Sequence, residues 1–486
     1  MNFEKKEIID EKRSFLNSAL THKNKFQSMD EFMSWFSSRK YAHKFEVRRI
    51  PFIELDNWQF EEGTGNLVHK TGKFFKIKGI RISSNFISLN NWDQPIIDQP
   101  EIGILGIITK VFEGVRYFLM QAKMEPGNIN IIQLSPTVQA TKSNYTQVHQ
   151  GNKPLYLEYF LEKGRSKILV DQLQTEQGAR FLQKRNRNII VEVYEELPIH
   201  EDFCWLTLGQ IRKLLTIDNM INMDSRSVIS CINIIDEDAT KKYEFLKKDD
   251  FFQISPFNQI SEGFKREIFI SMIDKKNSQK NLDEIINWFT EMKANAELNL
   301  EHINLREVSS WIKTPEEIKH ESKQFFSIIA VSVEAENREV KKWTQPLIKH
   351  SSYGMIGFVA KKINNVLHFL VQARLDPCSF NVLEMIPTVA CTEAEYKYKQ
   401  ENSLPFLKLF MDPSPEKIRY SVIQSDEGGR FYHSLNKYMV VELDEKDIID
   451  IPKNYIWMTL NQIIELIKHN YFNIDARILI GGLSLV

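Results

Sequence analysis

The chain is poor in cysteine. Cys204, Cys231, Cys378 and Cys391 are the four it has in 486 residues, and no two are spaced as CxxC. That leaves no signature of a zinc site or a disulfide framework, and points to reduced thiols in a core, as in a cytoplasmic protein. No run approaches the ~20 apolar residues that span a bilayer. The N-terminus, MNFEKKEIIDEKRSF, has no apolar signal core. Neither charge sign is in excess, with 63 Lys plus Arg against 64 Asp plus Glu, so the basic footprint of a polynucleotide binder is missing. Neither a membrane nor a nucleic acid is expected as partner, whereas a small phosphorylated molecule is allowed. The chain also lacks GxxxxGK[ST], GxGxxG after a strand, and HExxH, which removes support for ATP, NAD and zinc-protease chemistry. Its 11 histidines are scattered, and no two of His149, His368 and His433, the ones inside the repeated blocks described next, share a metal-like spacing. Neither a metal ligand set nor a cofactor is expected.

What the chain does have is an internal repeat. LMQAKMEPGN, LSPTVQATKSNYT, DQLQTEQGARF and KRNRN, between Leu119 and Asn188, return in weaker form as LVQARLDPCSFN, MIPTVACTEAEY, SVIQSDEGGRF and SLNKY between Leu370 and Tyr438. The offset is nearly constant: Gln121 to Gln372 and Pro136 to Pro387 are 251 residues apart, Arg180 to Arg430 is 250, and Trp205 to Trp457 is 252. With 42% apolar and 11% aromatic residues there is enough core for two large domains, placed at 1–245 and 246–486. Residues 233–283 read as a solvated connection ending in helix. In each half an amphipathic helix (Phe32, Trp35, Phe36; Ile285, Trp288, Phe289) precedes short strands, and Glu113-Gly114 and Asn364-Asn365 mark hairpins. Pro95 and Pro346, in WxQPhI elements, mark an edge or loop. ILVDQLQTEQGARFLQKRN reads as a strand running into a helix that carries Glu176 and Arg180. WLTLGQIRKLL and WMTLNQIIELI close each half as helices with threonine as N-cap. The expected fold class is α+β, with mostly antiparallel hairpins.

The repeated blocks are rich in hydrogen-bond donors: Lys123, Asn128, Thr137, Thr141, Lys142, Ser143, Asn144, Tyr145, Arg180, Arg185, Asn186, Arg187 and Asn188. Hydroxyls and amides suit a sugar or a pyrimidine, and the arginine fork suits a diphosphate. Capping and local ion pairs are the alternative for any one of them. Lys123, Glu125, Tyr145, His149 and Glu176 are the candidates for moving a proton. Trp58 and Trp311, each ending a polar approach segment, either pack or stack on a base.

FLMQAKMEPGNIN, QLSPTVQATKSNYT, VDQLQTEQGARFLQKRNRN and the paired WxQPhI elements resemble the NDP-hexose 2,3-dehydratase family of deoxysugar biosynthesis, over about residues 30–485. The resemblance implies two tandem Nudix-like α/β/α sandwich domains, usually in a homodimer. It implies loss of the C2 hydroxyl from an NDP-4-keto-6-deoxyhexose, most often dTDP-linked, without a redox cofactor, and an NADPH-dependent 3-ketoreductase to consume the product. It also implies two nucleotide-sugar pockets per chain, one catalytic and one vestigial. Trp58 and Thr141 to Tyr145 match the first pocket; Trp311, Arg374, Thr392, Tyr396, Arg430, Asn436 and Tyr438 match the second. In the second repeat TKSNY has become TEAEY, so Glu393 and Glu395 would repel a diphosphate. Catalysis is therefore expected in repeat one, with Arg180 mattering more than Arg430. The segments ending TEQGARF and SDEGGRF sit where a Nudix hydrolase would carry its metal-binding helix, yet they hold only Glu176 in one and Asp426 with Glu427 in the other. That disfavours a metal-dependent pyrophosphatase. A nucleotide-sugar hydrolase and a non-catalytic nucleotide-sugar binder are the competing readings.

Overall fold

The computed structural model describes residues 2–85, 91–145, 153–235, 237–246, 248–336, 338, 340–393 and 404–483. Strands Gly103–Phe112 and Val115–Met124 pair antiparallel around Glu113 and Gly114, at φ 51° and 78°. Two consecutive positive φ values match the twist of the flanking strands, which is why Asn, Asp and Gly favour such turns. Asn364 and Asn365, at φ 53° and 59°, do the same between Gly354–Ile363 and Val366–Leu375. The first hairpin lies inside a seven-stranded sheet. Arg185–Glu192 runs parallel to Gly103–Phe112. Lys167–Thr175 pairs antiparallel with Arg185–Glu192, and Phe203–Thr207 with Val115–Met124. Ile418–Ser425, Leu435–Leu443 and Tyr455–Thr459 build a second sheet of the same connectivity around the second hairpin. The duplicated α+β architecture expected from the repeat is what the chain adopts.

Helices cover these sheets, as the apolar face of each demands. Leu208–Leu214 starts at Thr207, whose side chain accepts from Gln210 N while Gln210 Oε1 accepts from Thr207 N; at the start of Leu460–Ile467 the bond from Thr459 N to Gln462 Oε1, at 3.0 Å, is kept, while the Thr459 hydroxyl makes no cap bond. Such reciprocal caps satisfy amides that the helix itself leaves unpaired. Trp205 and Trp457 fall in the preceding strands rather than in the helices. Asn2–Leu20 lies on the first hairpin and Gly263–Ile273 on the second. The expected solvated connection is instead helical in large part, with Glu237–Phe245 and Gly263–Ile273 burying Ala239, Tyr243, Ile268, Phe269 and Ile273. Among the described residues no helix is long and apolar enough to cross a membrane.

The smaller sheets cross between the halves. Phe45–Ile50, from the first half, pairs with Ser327–Ala335, setting Phe45 opposite Ala335. Leu298–Ile303, from the second, pairs with Lys76–Ser84, setting Leu298 opposite Ser84. Each half thus supplies a strand to the other's small sheet, and beneath them one apolar cluster joins Ile50, Phe52, Trp58 and Phe75 to Ile303, Phe326, Ile328 and Phe431. Pro95 and Pro346 sit on strands Asn91–Asp98 and Lys342–Lys349 at the sheet margins, where a missing N–H costs no ladder bond.

The helix expected at Glu176 to Arg180 is absent. Lys167–Thr175 and Arg185–Glu192 are in antiparallel register up to Thr175 opposite Arg185, so residues 176–184 only span the gap, as turns. Phe181, the residue after Arg180, instead bridges to Ile97, with Ile97 N donating to Arg180 O and Leu182 N to Ile97 O at 3.0 and 2.8 Å.

Candidate active site

Two turns from opposite halves meet. Glu125-Pro126-Gly127-Asn128 follows strand Val115–Met124 and lies against Asp426 to Phe431: Gly127 N donates to Gly428 O at 2.7 Å, and His433 N to Gly127 O at 2.8 Å. A Cβ on Gly127 would lie 1.6 Å from Phe431 O, so the approach requires glycine. The mirror contact sets Gly178 against Asp376, with Gln183 N donating to Cys378 O at 2.6 Å. Two clefts result, each floored by one half and walled by the turn of the other.

The first cleft gathers Lys123 from the floor strand, Glu125 from the turn after it, Lys184, and, from the second half, Glu427 and Arg430. The Arg430 guanidinium lies 4.3 Å over the Phe75 ring, whose centroid is 4.8 Å from that of Trp58. Gln99 Oε1 accepts from Arg430 Nε and Nη2, both at 3.3 Å, and Gly429 O accepts from Nη1 at 2.8 Å. Glu125 is tied down, accepting from Gln139 Nε2 at 2.9 Å and from Asn222 Nδ2 at 3.4 Å. Buried Glu176 accepts from Asn186 Nδ2 at 2.7 Å. Ser143 N and Oγ donate to Glu101 Oε2 at 3.2 and 3.0 Å, and Lys184 Nζ donates to Glu101 O, which links the TKS segment to the cleft wall. Thr141 Oγ1 is 2.9 Å from Ser143 Oγ, and Lys142 is exposed.

Burial sets the electrostatics here, because removing water disfavours charge. It pushes the Glu176 carboxyl up to about 7, with the Glu427 charge adding to the effect. It raises Asp224 well above the carboxylate range and raises Glu427, where Arg430 works in the opposite sense. It lowers Lys184, against the pull of Glu176 and Glu427. Acids and amines are thus brought toward neutral pH inside one cleft, the condition that general acid–base chemistry needs.

The second cleft holds Arg374, Asp376, Gln177, Arg180, His350 and Asp426. Arg180 lies 4.3 Å over Phe326, which is 4.7 Å from the Trp311 ring, and donates from Nε to His350 Nε2 at 3.2 Å. Asp426 Oδ1 accepts from Gln177 Nε2 and Asn436 Nδ2 at 3.0 and 2.8 Å. Arg374 Nη1 donates to Ala390 O at 2.6 Å. The two repeat-related arginines are therefore crossed: Arg430 sits with Trp58 and Lys123, and Arg180 with Trp311 and Arg374.

The remaining residues singled out in the sequence are dispersed. Arg185 stacks 4.0 Å over Phe380, and Arg187 forms a two-bond fork with Asp171 at the surface, both distances 2.7 Å. Asn188 accepts from Ser227 Oγ at 2.9 Å and, like Tyr438 beneath Arg226, is core at 1% exposure. Thr392 is partly buried at the end of strand Val389–Thr392. The side chains of Asn144 and Tyr145, and all of His149 and Tyr396, lie outside the described residues. Trp58 is 7% exposed, donating from Nε1 to Thr344 O at 3.0 Å, so its indole edge is committed to packing between the halves. Sequence reading overlooked Phe75, Gln99 and Asp224, which no motif distinguishes, and passed over Lys184, the first residue of KRNRN.

The sequence pattern of the NDP-hexose 2,3-dehydratase family matches residues 29–232 and again 282–483. A protein of Saccharopolyspora spinosa described as dTDP-4-dehydro-6-deoxy-alpha-D-glucopyranose 2,3-dehydratase is 44% identical over 473 residues, 97% of this chain and 94% of the relative. Proteins of the same description from Amycolatopsis orientalis and Streptomyces violaceoruber are 41% and 38% identical, covering 94% and 93% of this chain and 90% and 96% of the relatives. Two matched segments, in the two halves that the strand exchange locks together, place the chain in the NDP-hexose 2,3-dehydratase family.

Proposed function

We propose that this chain removes the C2 hydroxyl of a dTDP-4-keto-6-deoxyhexose in the first cleft. The observation that carries the reading is the convergence there of Lys123, Lys184 and Arg430, which suit a diphosphate, with an aromatic wall of Phe75 and Trp58 and carboxyls raised by burial. The C4 carbonyl makes the C3 hydrogen acidic. One group takes that proton, cations stabilise the enolate oxygen, and the C2 hydroxyl leaves with a proton as water. The electrons stay within the sugar, giving the enol of a 3,4-diketo sugar, so the balance calls for no oxidant or reductant. In this reading Lys123 and Glu125 act on the floor of the cleft, and the TKSNY segment holds the nucleotide. The second cleft, whose repeat carries Glu393 where the first carries Lys142, is the weaker diphosphate site. The two Nudix-like units are 1–245 and 246–486, the protein works as a cytoplasmic homodimer, and an NADPH-dependent 3-ketoreductase removes the reactive diketone.

Incubating the purified protein with dTDP-4-keto-6-deoxyglucose tests this by mass spectrometry. A product lighter by one water is expected. Free dTMP would instead identify a hydrolase, and unchanged sugar with bound nucleotide a sensor.

A further inference from the structure

Duplication gives this protein an internal comparison. Asp426-Glu427-Gly428-Gly429-Arg430 walls the first cleft, and its copy Glu176-Gln177-Gly178-Ala179-Arg180 walls the second. The arginines do equivalent things in both, each lying 4.3 Å over a phenylalanine of the opposite half. At the position three residues before the arginine the clefts differ in kind. The second has Gln177, an amide that donates to Asp426 Oδ1 at 3.0 Å and cannot take up a proton. The first has Glu427.

Among the carboxylates of the first cleft Glu427 is also the least encumbered. Glu125 is 3% exposed and accepts from two amides; Glu176 is 5% exposed and accepts from Asn186; Asp224 is 3% exposed. Glu427 keeps part of its surface open, and its carboxylate accepts no hydrogen bond among the described residues. It faces the same space as Glu125, since a Cβ built on Gly429 would lie 2.9 Å from Glu427 Oε1 and 3.9 Å from Glu125 Oε1. Lys123, Lys184 and Arg430 act on it electrostatically, so a sugar diphosphate held by those cations would lie next to this carboxylate.

We propose that Glu427, supplied by the second repeat, is the catalytic residue that takes the C3 proton from the sugar bound in the first-repeat cleft. The inference rests on the dehydratase reading above and names the base for it. The Glu427 carboxylate accepts the C3 hydrogen as a proton, and the C–H electron pair moves into the C3–C4 bond as the C4 oxygen becomes an enolate. The C2–O bond then breaks as the enolate pair forms C2=C3, and the departing hydroxyl takes up the proton from Glu427 and leaves as water. Burial raises Glu427 toward the range where it both accepts and returns a proton. The active cleft is then built from both copies of the duplication, and a glutamine in the other copy accounts for its silence.

The test uses the whole chain with dTDP-4-keto-6-deoxyglucose carrying deuterium at C3. Glu427→Gln is expected to lower kcat by at least about a hundredfold, to stop washout of the C3 deuterium into solvent, and to leave the Kd for dTDP within about threefold. Glu427→Asp is expected to keep part of the rate and to displace the acidic limb of the kcat/KM profile. A Gln variant within tenfold of wild type, or one that still washes out deuterium at the wild-type rate, overturns the proposal. If Glu427→Gln fails to fold by thermal melting, the Asp variant decides: an unmoved acidic limb with full rate overturns it. A wild-type chain that binds dTDP yet releases no water from the sugar refutes the dehydratase reading itself, whereas an active wild type with an active Gln variant refutes only the role of Glu427.

Discussion

Arg430→Ala should damage turnover far more than Arg180→Ala. The Arg430 guanidinium is held by Gln99 and Gly429 O and lies over Phe75, beside Trp58, Lys184 and Glu427. A charge-assisted hydrogen bond to a phosphate is worth about 1.5–3 kcal/mol. Loss of the stack on Phe75 removes about another 0.5–2 kcal/mol of order from the turn that carries Glu427. At about 1.4 kcal/mol per tenfold, kcat/KM should fall roughly a hundredfold or more. Arg180 faces Phe326 and His350 in the other cleft, so its truncation should cost less than about fivefold, the bound set by indirect effects across the shared core. Steady-state consumption of dTDP-4-keto-6-deoxyglucose by both variants, with dTDP affinity measured alongside, reads this out. An Arg180→Ala loss equal to or larger than that of Arg430→Ala would refute the crossed assignment and return catalysis to the cleft walled by Arg180.

Three further outcomes concern how the halves hold together. Gly127→Ala should destabilise the chain by about 1–3 kcal/mol or more, because the new Cβ meets Phe431 O at 1.6 Å; an unchanged melting temperature would contradict the close approach. Arg477 is fully buried and donates to Thr175 O at 2.6 Å and Ser227 Oγ at 3.0 Å, both in the other half. Arg477→Leu should therefore cost about 3 kcal/mol in denaturant unfolding. Asp426 titrates at about 7 in the folded chain, raised by burial from 3.8. Between those two values the folded state holds a proton that the unfolded state has lost, so Asp426 makes stability fall as pH rises, by an upper bound of about 4 kcal/mol at ~1.36 kcal/mol per unit. Asp426→Asn should flatten that part of the profile and leave the protein more stable than wild type at pH 8, checked by melting from pH 5 to 9.

Much of this was readable along the chain because it is encoded locally. The constant offset between anchors, the Glu113-Gly114 and Asn364-Asn365 turns and the threonine caps each depend on a few neighbouring residues, and each appears where expected. The helix at Glu176 to Arg180 did not. Phe181 has its partner in Ile97, some 80 residues away, and the antiparallel register of the flanking strands leaves only a turn. Lys123 and Glu125 were legible as candidates for the same reason as the hairpin that bears them. Asn188 and Tyr438, equally polar, turned out to serve the core.

The sequence by itself determined that there are two copies of one α+β unit, where their strands turn, and which family they belong to, since repeated spacing and short-range turn chemistry are properties of the linear chain. Only the tertiary structure decided which copy's side chains share a cleft. Pairing of Phe45–Ile50 with Ser327–Ala335 and of Leu298–Ile303 with Lys76–Ser84 carries each half across to the other. That crossing brings Arg430 and Glu427 to Lys123 and sends Arg180 away from it, because contacts between residues some 300 positions apart depend on which sheet edges close on each other, and no local pattern records that.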